Sequence, residues 1–366
     1  MSAWASASAG GISVAEARKG WKNLKLQFAV GMVLGVAVMA AVAIFADVSA
    51  VAKEARHIGP WYFAAACALS LVNYLLRFAK WHFYLGRLGL GVPLRDSFLT
   101  FMSGLSMSVT PGKLGELLKA LILRVTRGVP VAQTSPVVIA ERATDSFGLL
   151  VLMAVGSLSF SYGKSLAILL TAASVLFVIV VQRRELATRL FDALERGRLG
   201  RRMGEFAPSL RIFHDSSYRL FLPQSLVPTT LMSALSWGME GVAFSLILSG
   251  LGLHLPIAKT IFIFSSSTLI GAISMLPGGL GVADGSLLGL LAREGIPKAS
   301  AGSAALIVRL ATLWLAVLVG VIALTVSVKV GFLRGGLGSL RLETQDSSGV
   351  PSRAESSAER GSLRGS

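Results

Sequence analysis

Nine charged residues stand where an apolar chain has least reason to carry them. Lys113, Glu116 and Lys119 fall in "SVTPGKLGELLKALILR" (108–124) and Glu141, Arg142 and Asp145 in "IAERATDS" (139–146). Glu240 falls in "SWGMEGVAF" (236–244), Asp284 in "LPGGLGVADGSL" (276–287), and Arg309 in the last long apolar run. A charge at the centre of a membrane helix costs about 2.5–3.5 kcal/mol on insertion scales, so each one is a candidate for binding or for a specific counter-charge. Lys113 follows the Pro111-Gly112 break directly and precedes a helix start. Free N–H groups and the helix dipole collect anions there, so Lys113 is the natural contact for a phosphate. Glu141 and Asp145 share one helical face, and Arg142 lies three before Asp145. Arg142–Asp145 reads either as a self-neutralising pair that lets the helix insert or as part of a binding site. Glu141 is left over as a substrate or counter-charge group. Glu240 and Arg309 are each isolated in their spans and are expected to pair across helices.

Other chemistries lack their residues. The chain has no Asp-x-Asp pair, no P-loop and no Gly-x-Ser-x-Gly, which removes the common phosphoryl- and acyl-transfer signatures. His57, His82, His214 and His254 are scattered and Cys67 is the single cysteine. Neither a metal site nor a disulfide within the chain is expected, and no cofactor is called for.

The elements that must hold these charges are membrane helices. The 366 residues are 53% hydrophobic and only 15% charged, against about 25% charged in a soluble domain. Runs at Leu26–Ala46, Ile58–Leu76, Ser146–Gly163, Ser165–Gln182, Leu220–Met239 and Leu310–Val328 reach the length of about 18 residues that a span requires. The fold class expected is all-α, polytopic, with about six transmembrane helices. Twenty-five residues precede the first run, which is too long for a cleavable signal. Gly31 and Gly35 form a GxxxG that marks close helix packing.

A net charge of +16 invites a nucleic-acid reading, but the distribution of charge suits a membrane better. With a cytoplasmic N-terminus, the inner segments 1–25, 77–136, 183–224 and 329–366 hold 27 basic residues and the outer segments hold 6. This bias sets both termini on the cytoplasmic side of the cell inner (plasma) membrane, and nucleic acid is not expected as a partner. The topology closes only if Ser97–Arg124 and Ile257–Arg293 each enter and leave by one face. Each has a Pro-Gly break near its middle, as a re-entrant helix hairpin requires. The two also align. Pro111-Gly112 lies over Pro277-Gly278 and Gly115 over Gly281, and Arg142 and Arg309 each fall in the following span. The domain division is therefore a cytoplasmic N-terminal segment (1–25) and a transmembrane domain (26–330). The domain holds re-entrant elements at about 97–124 and 257–293 and a cytoplasmic loop at about 183–224, whose nine arginines and five acids suit lipid headgroups. A disordered tail (331–366) follows. The hairpins form an inverted repeat, an architecture of secondary transporters.

"TPGKLGELLKALILR", "IAERATDS" and "LPGGLGVADGSL", in that order, resemble the lysylphosphatidylglycerol synthase transmembrane-region family over roughly residues 20–330. These are flippase-like membrane proteins, found alone or fused to an aminoacyl-transferase domain; this chain resembles the stand-alone form. The resemblance implies re-entrant elements and movement of a phospholipid or polyprenyl-linked lipid between leaflets. It carries Pro111, Gly112, Gly115 and Glu116 into the first signature, and Glu141, Arg142 and Asp145 into the second. Pro277, Gly278, Gly279, Gly281 and Asp284 fall in the third. The family commonly has Arg-Glu where this chain has Ala283-Asp284, which removes a basis for assigning a cationic lysyl headgroup.

The function expected is thus lipid translocation, with membrane lipids as partners. The substrate-binding groups would be Lys113, Glu116, Lys119, Glu141, Arg142, Asp145, Glu240, Asp284 and Arg309. Both signs are present, which suits a zwitterionic or phosphate-plus-amine headgroup. The alternatives are a membrane-embedded transferase with a lipid-linked donor, using Glu141 or Asp145 as base, and a non-catalytic partner of a lipid-modifying enzyme.

Overall fold

The computed structural model describes residues 58–110, 116–157, 168, 172 and 207–333. Among them the chain forms ten α-helices and no strand. They are α1 (Pro60–Arg87), α2 (Leu94–Gly104), α3 (Leu118–Arg127), α4 (Val131–Ser157), α5 (Ala207–Leu220), α6 (Pro223–Gly250), α7 (Ile257–Ile273), α8 (Val282–Arg293), α9 (Lys298–Arg309) and α10 (Leu315–Lys329). The N-terminal segment, the run Leu26–Ala46, most of Ser165–Gln182, most of the loop at 183–224, the break residues Pro111, Gly112 and Gly115, Lys113, and the tail from 334 lie outside the described residues.

Among the described residues three helices are long and apolar enough to cross a membrane: α1, α6, and the 32-residue stretch Lys298–Lys329, in which α9 and α10 join through a π turn at Leu310–Trp314. Their outer faces carry apolar residues without a protein neighbour to cover them. Val227, Leu231 and Leu235 repeat every four residues along α6 and all are exposed, as are Leu318 and Ile322 on α10. A fourth helix, α4, has 27 residues, enough to cross, but carries Glu141, Arg142 and Asp145. In contrast α2 has 11 residues and α7 has 17. At 1.5 Å per residue they reach about 16 and 26 Å, short of a hydrocarbon core of about 30 Å.

The order of elements occurs twice. Both α1 and α6 start with proline in the first turn, whose missing N–H is no loss there, and both run for 28 residues. Both stop on the same chemistry. "LGLGVP" (88–93) follows α1 and "LGLHLP" (251–256) follows α6. Gly89 and Gly252 take φ of 72° and 75°, where a side chain would be strained. The next N–H then turns back, Leu90 donating to the Leu85 carbonyl at 3.0 Å and Leu253 to that of Leu248 at 2.9 Å. A helix–break–helix unit follows each turn: α2 and α3 in the first copy, α7 and α8 in the second. "GVP" (128–130) and "GIP" (295–297) then lead into α4 and α9.

Each helix–break–helix unit sits in its own apolar cluster. Trp81, Phe101, Leu123 and Val137 surround the first; Phe244, Ile263, Leu287 and Ala304 surround the second. Val109, just before the first break, packs with Leu280 of the second break and with Val317 of α10. In the second break Gly278, Gly279 and Gly281 all have positive φ, and Gly279 approaches the backbone of Gly271 on α7. Helix α1 packs along α6, and α4 packs against α6 and α7.

The sequence runs and the helices differ at their ends. Ile58–Leu76 continues as helix to Arg87, so Arg77 and Lys80, expected in an inner loop, lie within a spanning helix with Lys80 1% and Arg77 9% exposed. Hydropathy windows stop at the first cations. The helix does not, because its partners neutralise them. The run starting at Ser146 likewise belongs to a helix that begins at Val131.

Close packing excludes a side chain at several glycines, Gly148 among them. A Cβ on Gly148 of α4 would come 2.6 Å from the Ala234 nitrogen and 2.7 Å from the Ser233 carbonyl carbon, so α4 and α6 touch backbone to backbone. Gly148→Val must separate them and should cost about 1–3 kcal/mol, as overpacking does. Gly285→Ala, with open space around it, should leave stability unchanged or raised. Thermal unfolding in micelles reads both; equal melting temperatures for Gly148→Val and the wild type would contradict the packing.

Candidate functional site

One face of α1 is polar through the middle of a helix that is otherwise apolar. Asn73, Tyr74, Arg77, Lys80 and Tyr84 recur every three or four residues and all are buried. The facing side of α6 answers with Ser225, Thr229, Ser233, Ser236 and Glu240, also buried. Small hydroxyls let the two helices approach and supply acceptors. Asn73 Nδ2 donates to the Ser236 carbonyl at 2.8 Å and Tyr84 Oη to Thr229 Oγ1 at 2.9 Å.

Between these faces α4 inserts its charges. Lys80 Nζ donates to Asp145 Oδ1 at 2.5 Å and to Ser233 Oγ at 2.7 Å, joining α1, α4 and α6 at one point. Asp145 Oδ2 lies 3.4 Å from Arg142 Nη2 and 3.8 Å from Arg77 Nη2. Glu141, fully buried, accepts from Lys119 Nζ at 2.5 Å. The Lys119 ammonium also lies 4.6 Å over the Trp81 ring and 5.1 Å over that of Phe101, two desolvated cation–π contacts. Arg142 reaches Glu116 at 2.9 Å. Four cations and three carboxylates thus form one connected network, in which each short pair offsets much of the cost of removing its members from water.

The second half of the site is built on the second break. Asp284, in the first turn of α8, accepts the Gly281 N–H on Oδ2 at 2.9 Å and Arg309 Nε on Oδ1 at 2.6 Å. Arg309 Nη1 also approaches the Gly278 carbonyl at 3.4 Å. The Glu240–Arg309 pair expected from sequence is therefore corrected to Asp284–Arg309. The physical reason is that the break folds α8 back beside α9, so a carboxylate local to the hairpin reaches the arginine first. The two copies correspond: Arg142 holds Glu116 across the first break as Arg309 holds Asp284 across the second.

Two cavities open here. The first, about 850 Å³ and open to the surroundings, is lined by Arg77, Glu116, Glu240, Asp284 and Arg309, together with the break glycines Gly278 and Gly279. The second, about 740 Å³, is lined by Arg142 and Asp145. Trp237 and Thr268 line both. Of the nine sequence candidates, Glu116, Arg142, Asp145, Glu240, Asp284 and Arg309 reach these walls; Lys113 lies outside the described residues. Glu141 and Lys119 line neither cavity and engage one another. Pro277 is buried within the second break. Sequence reading missed Arg77 and Lys80, although "NYLLRFAKWHFY" (73–84) carries its polar residues at helical spacing.

The Lys119–Glu141 pair generates a direct test. Glu141→Gln leaves the buried Lys119 ammonium with only the more distant Glu116 carboxylate, at 3.9 Å, and should cost about 3 kcal/mol. Lys119→Met with Glu141→Gln should recover most of that loss. Unfolding followed in micelles distinguishes the variants, and an unchanged melting temperature for Glu141→Gln would show that the pair does not stabilise the fold.

Comparison with known proteins agrees with this architecture. A UPF0104 membrane protein of Methanothermobacter thermautotrophicus is 26% identical over 327 residues, spanning 82% of this chain and 96% of the relative. A second UPF0104 membrane protein of that organism is 28% identical over 291 residues, 74% of this chain and 84% of its own length. One from Pyrococcus horikoshii is 23% identical over 291 residues, covering 70% and 84%. Residues 32–320 match the family described as the lysylphosphatidylglycerol synthase TM region. With its apolar helices and a match over most of its length, this chain is an integral membrane protein that belongs to the lysylphosphatidylglycerol synthase TM-region family.

Proposed function

We propose that the protein moves a lipid headgroup between leaflets through the polar region framed by its two broken hairpins. One observation carries this reading: the cavity of about 850 Å³ that collects charged groups from both hairpins, Glu116 from the first and Asp284 from the second, in a chain whose outer faces are apolar. Irregular backbone at membrane depth is tolerated where it lines a cavity, and helix breaks aimed at a central site are how secondary transporters bind cargo. A headgroup would occupy the polar cavity while its acyl tails stay against the apolar faces. Six spans, a plasma-membrane location and cytoplasmic termini complete the reading, with the hairpins entering from opposite faces as an inverted repeat. Lys113, Glu116, Arg142, Asp145, Glu240, Asp284 and Arg309 are its substrate-facing groups. The relatives' names state only that they are membrane proteins, so the lipid-handling reading rests on the family and the site.

Orientation is tested by labelling. In a Cys67→Ala background, Gly91→Cys marks the loop after α1 and His254→Cys the equivalent loop after α6, both exposed. A membrane-impermeant maleimide should label His254→Cys on intact cells and Gly91→Cys only after permeabilisation. Labelling of both from one side would rule out the inverted arrangement.

Activity is tested in vesicles. Purified protein reconstituted with a fluorescent phospholipid should expose inner-leaflet lipid to an external quencher faster than protein-free vesicles do. Glu240→Gln should slow this by about tenfold, equivalent to about 1.4 kcal/mol, because its carboxylate lines the cavity that would receive the headgroup. Wild-type vesicles that quench no faster than empty ones would sink the proposal. Consumption of a lipid-linked donor in detergent, where no leaflets exist, would favour a transferase instead.

A further inference from the structure

The other cations of the site each have a close carboxylate. Lys80 and Lys119 have theirs at 2.5 Å, Arg309 at 2.6 Å and Arg142 at 2.9 Å. Arg77 is different. It is 9% exposed, its closest carboxylate oxygen is Asp145 Oδ2 at 3.8 Å, and it donates no hydrogen bond among the described residues. A guanidinium carries five N–H donors, and leaving them unmet in a desolvated site is costly. Yet the side chain is held in place. Its guanidinium carbon lies 5.7 Å from the centroid of the Trp237 ring, and its position on α1 sets it in the wall of the first cavity, which Gly278 and Gly279 of the second break also line.

We infer that Arg77 is an oxyanion-binding residue of the first cavity, receiving a phosphate through two parallel N–H···O bonds. The inference rests on the translocation reading only for the source of that phosphate, a lipid headgroup. The neighbouring carboxylates do not occupy the guanidinium. Asp145 is held by Lys80 and Glu141 by Lys119, each at 2.5 Å, and Glu116 by Arg142 at 2.9 Å. Counted with Glu240, which lines the same cavity, four cations face four carboxylates, so it is the unmet donors of Arg77 and not a surplus charge that invite an oxyanion, and a zwitterionic headgroup leaves the balance unchanged. Glu240 shares the cavity and provides for a positive group beside the phosphate, as in a zwitterionic headgroup. Planarity matters: a guanidinium matches two phosphate oxygens at once, whereas an ammonium meets them as a point charge. Trp237 orients the plane and also lines the second cavity, which places Arg77 at the junction of the two. No motif marks Arg77 in the sequence, since it lies 34 residues before Pro111 in an ordinary-looking helix.

The experiment uses the full-length protein in detergent. Dihexanoyl-phosphatidylglycerol, dihexanoylglycerol and inorganic phosphate are titrated by calorimetry at constant ionic strength, with melting temperatures recorded alongside. The wild type should bind the phospholipid and not the phosphate-free lipid. Arg77→Lys should weaken phospholipid binding several-fold and Arg77→Met by tenfold or more. Arg77→Lys keeps the charge and the pairing to Asp145, so it reports on bidentate recognition even if Arg77→Met fails to fold. Inorganic phosphate binding as tightly as the phospholipid, with the same dependence on Arg77, supports the oxyanion site and assigns its source to free phosphate. Wild-type protein that distinguishes neither phosphate-bearing ligand from dihexanoylglycerol overturns the inference without reference to any variant. So does phospholipid binding by Arg77→Lys at wild-type affinity. Arg77-dependent binding without vesicle translocation would instead overturn the transport reading and leave Arg77 in its role.

Discussion

The contact between Lys80 and Asp145 organises the structure. Either charge alone inside an apolar bundle would carry a desolvation cost of several kcal/mol, and only a close partner with further hydrogen bonds offsets it. Lys80 gains Asp145 and Ser233 together, so the pair fixes α1, α4 and α6 relative to each other. Once that register is set, Arg77 and Arg142 fall beside the other oxygen of Asp145, and Glu141 is turned toward Lys119. The backbone contact at Gly148 sits one turn from Asp145 and lets α4 come close enough for the pair to form. Packing and charge compensation are one constraint here, because neither is met without the other.

Broken helices in so apolar a chain raise a second difficulty, the unpaired backbone at the breaks. In the second break this is handled locally. Asp284 takes the Gly281 N–H, while Arg309 links Asp284 to the Gly278 carbonyl. One ion pair thereby holds both sides of the break and still faces the cavity. Glu116 and Arg142 bring the same pair of charges to the first break. The pairs at the breaks line the cavities, whereas Lys119–Glu141, sealed between Trp81 and Phe101, is placed to hold the fold. The same network thus has a rigid part away from the cavities and a part that meets them.

Much of the architecture was readable before any coordinates. Apolar length identifies membrane helices because lipid admits few other structures. Pro111-Gly112 and Pro277-Gly278 announce breaks for the same reason, and the similar ends of α1 and α6 follow from a glycine at positive φ followed by proline. Charges inside apolar runs show where compensation is needed, since each must find a partner, and six of the nine candidates line a cavity wall.

What the sequence alone determined, then, was the class of fold, the two breaks and the set of charges that needed partners. Which charge meets which was decided only in three dimensions. Arg309 takes Asp284 rather than Glu240, because the hairpin brings α8 beside α9 before α6 can compete. Arg77 and Lys80 look in sequence like the start of a loop, since hydropathy sums along one chain and cannot see that Asp145 and Ser233 wait on neighbouring helices. Spacing shows which residues share a face. The partner across that face belongs to the packing of separate segments, where distances of 2.5 and 3.8 Å separate a satisfied charge from one still able to bind.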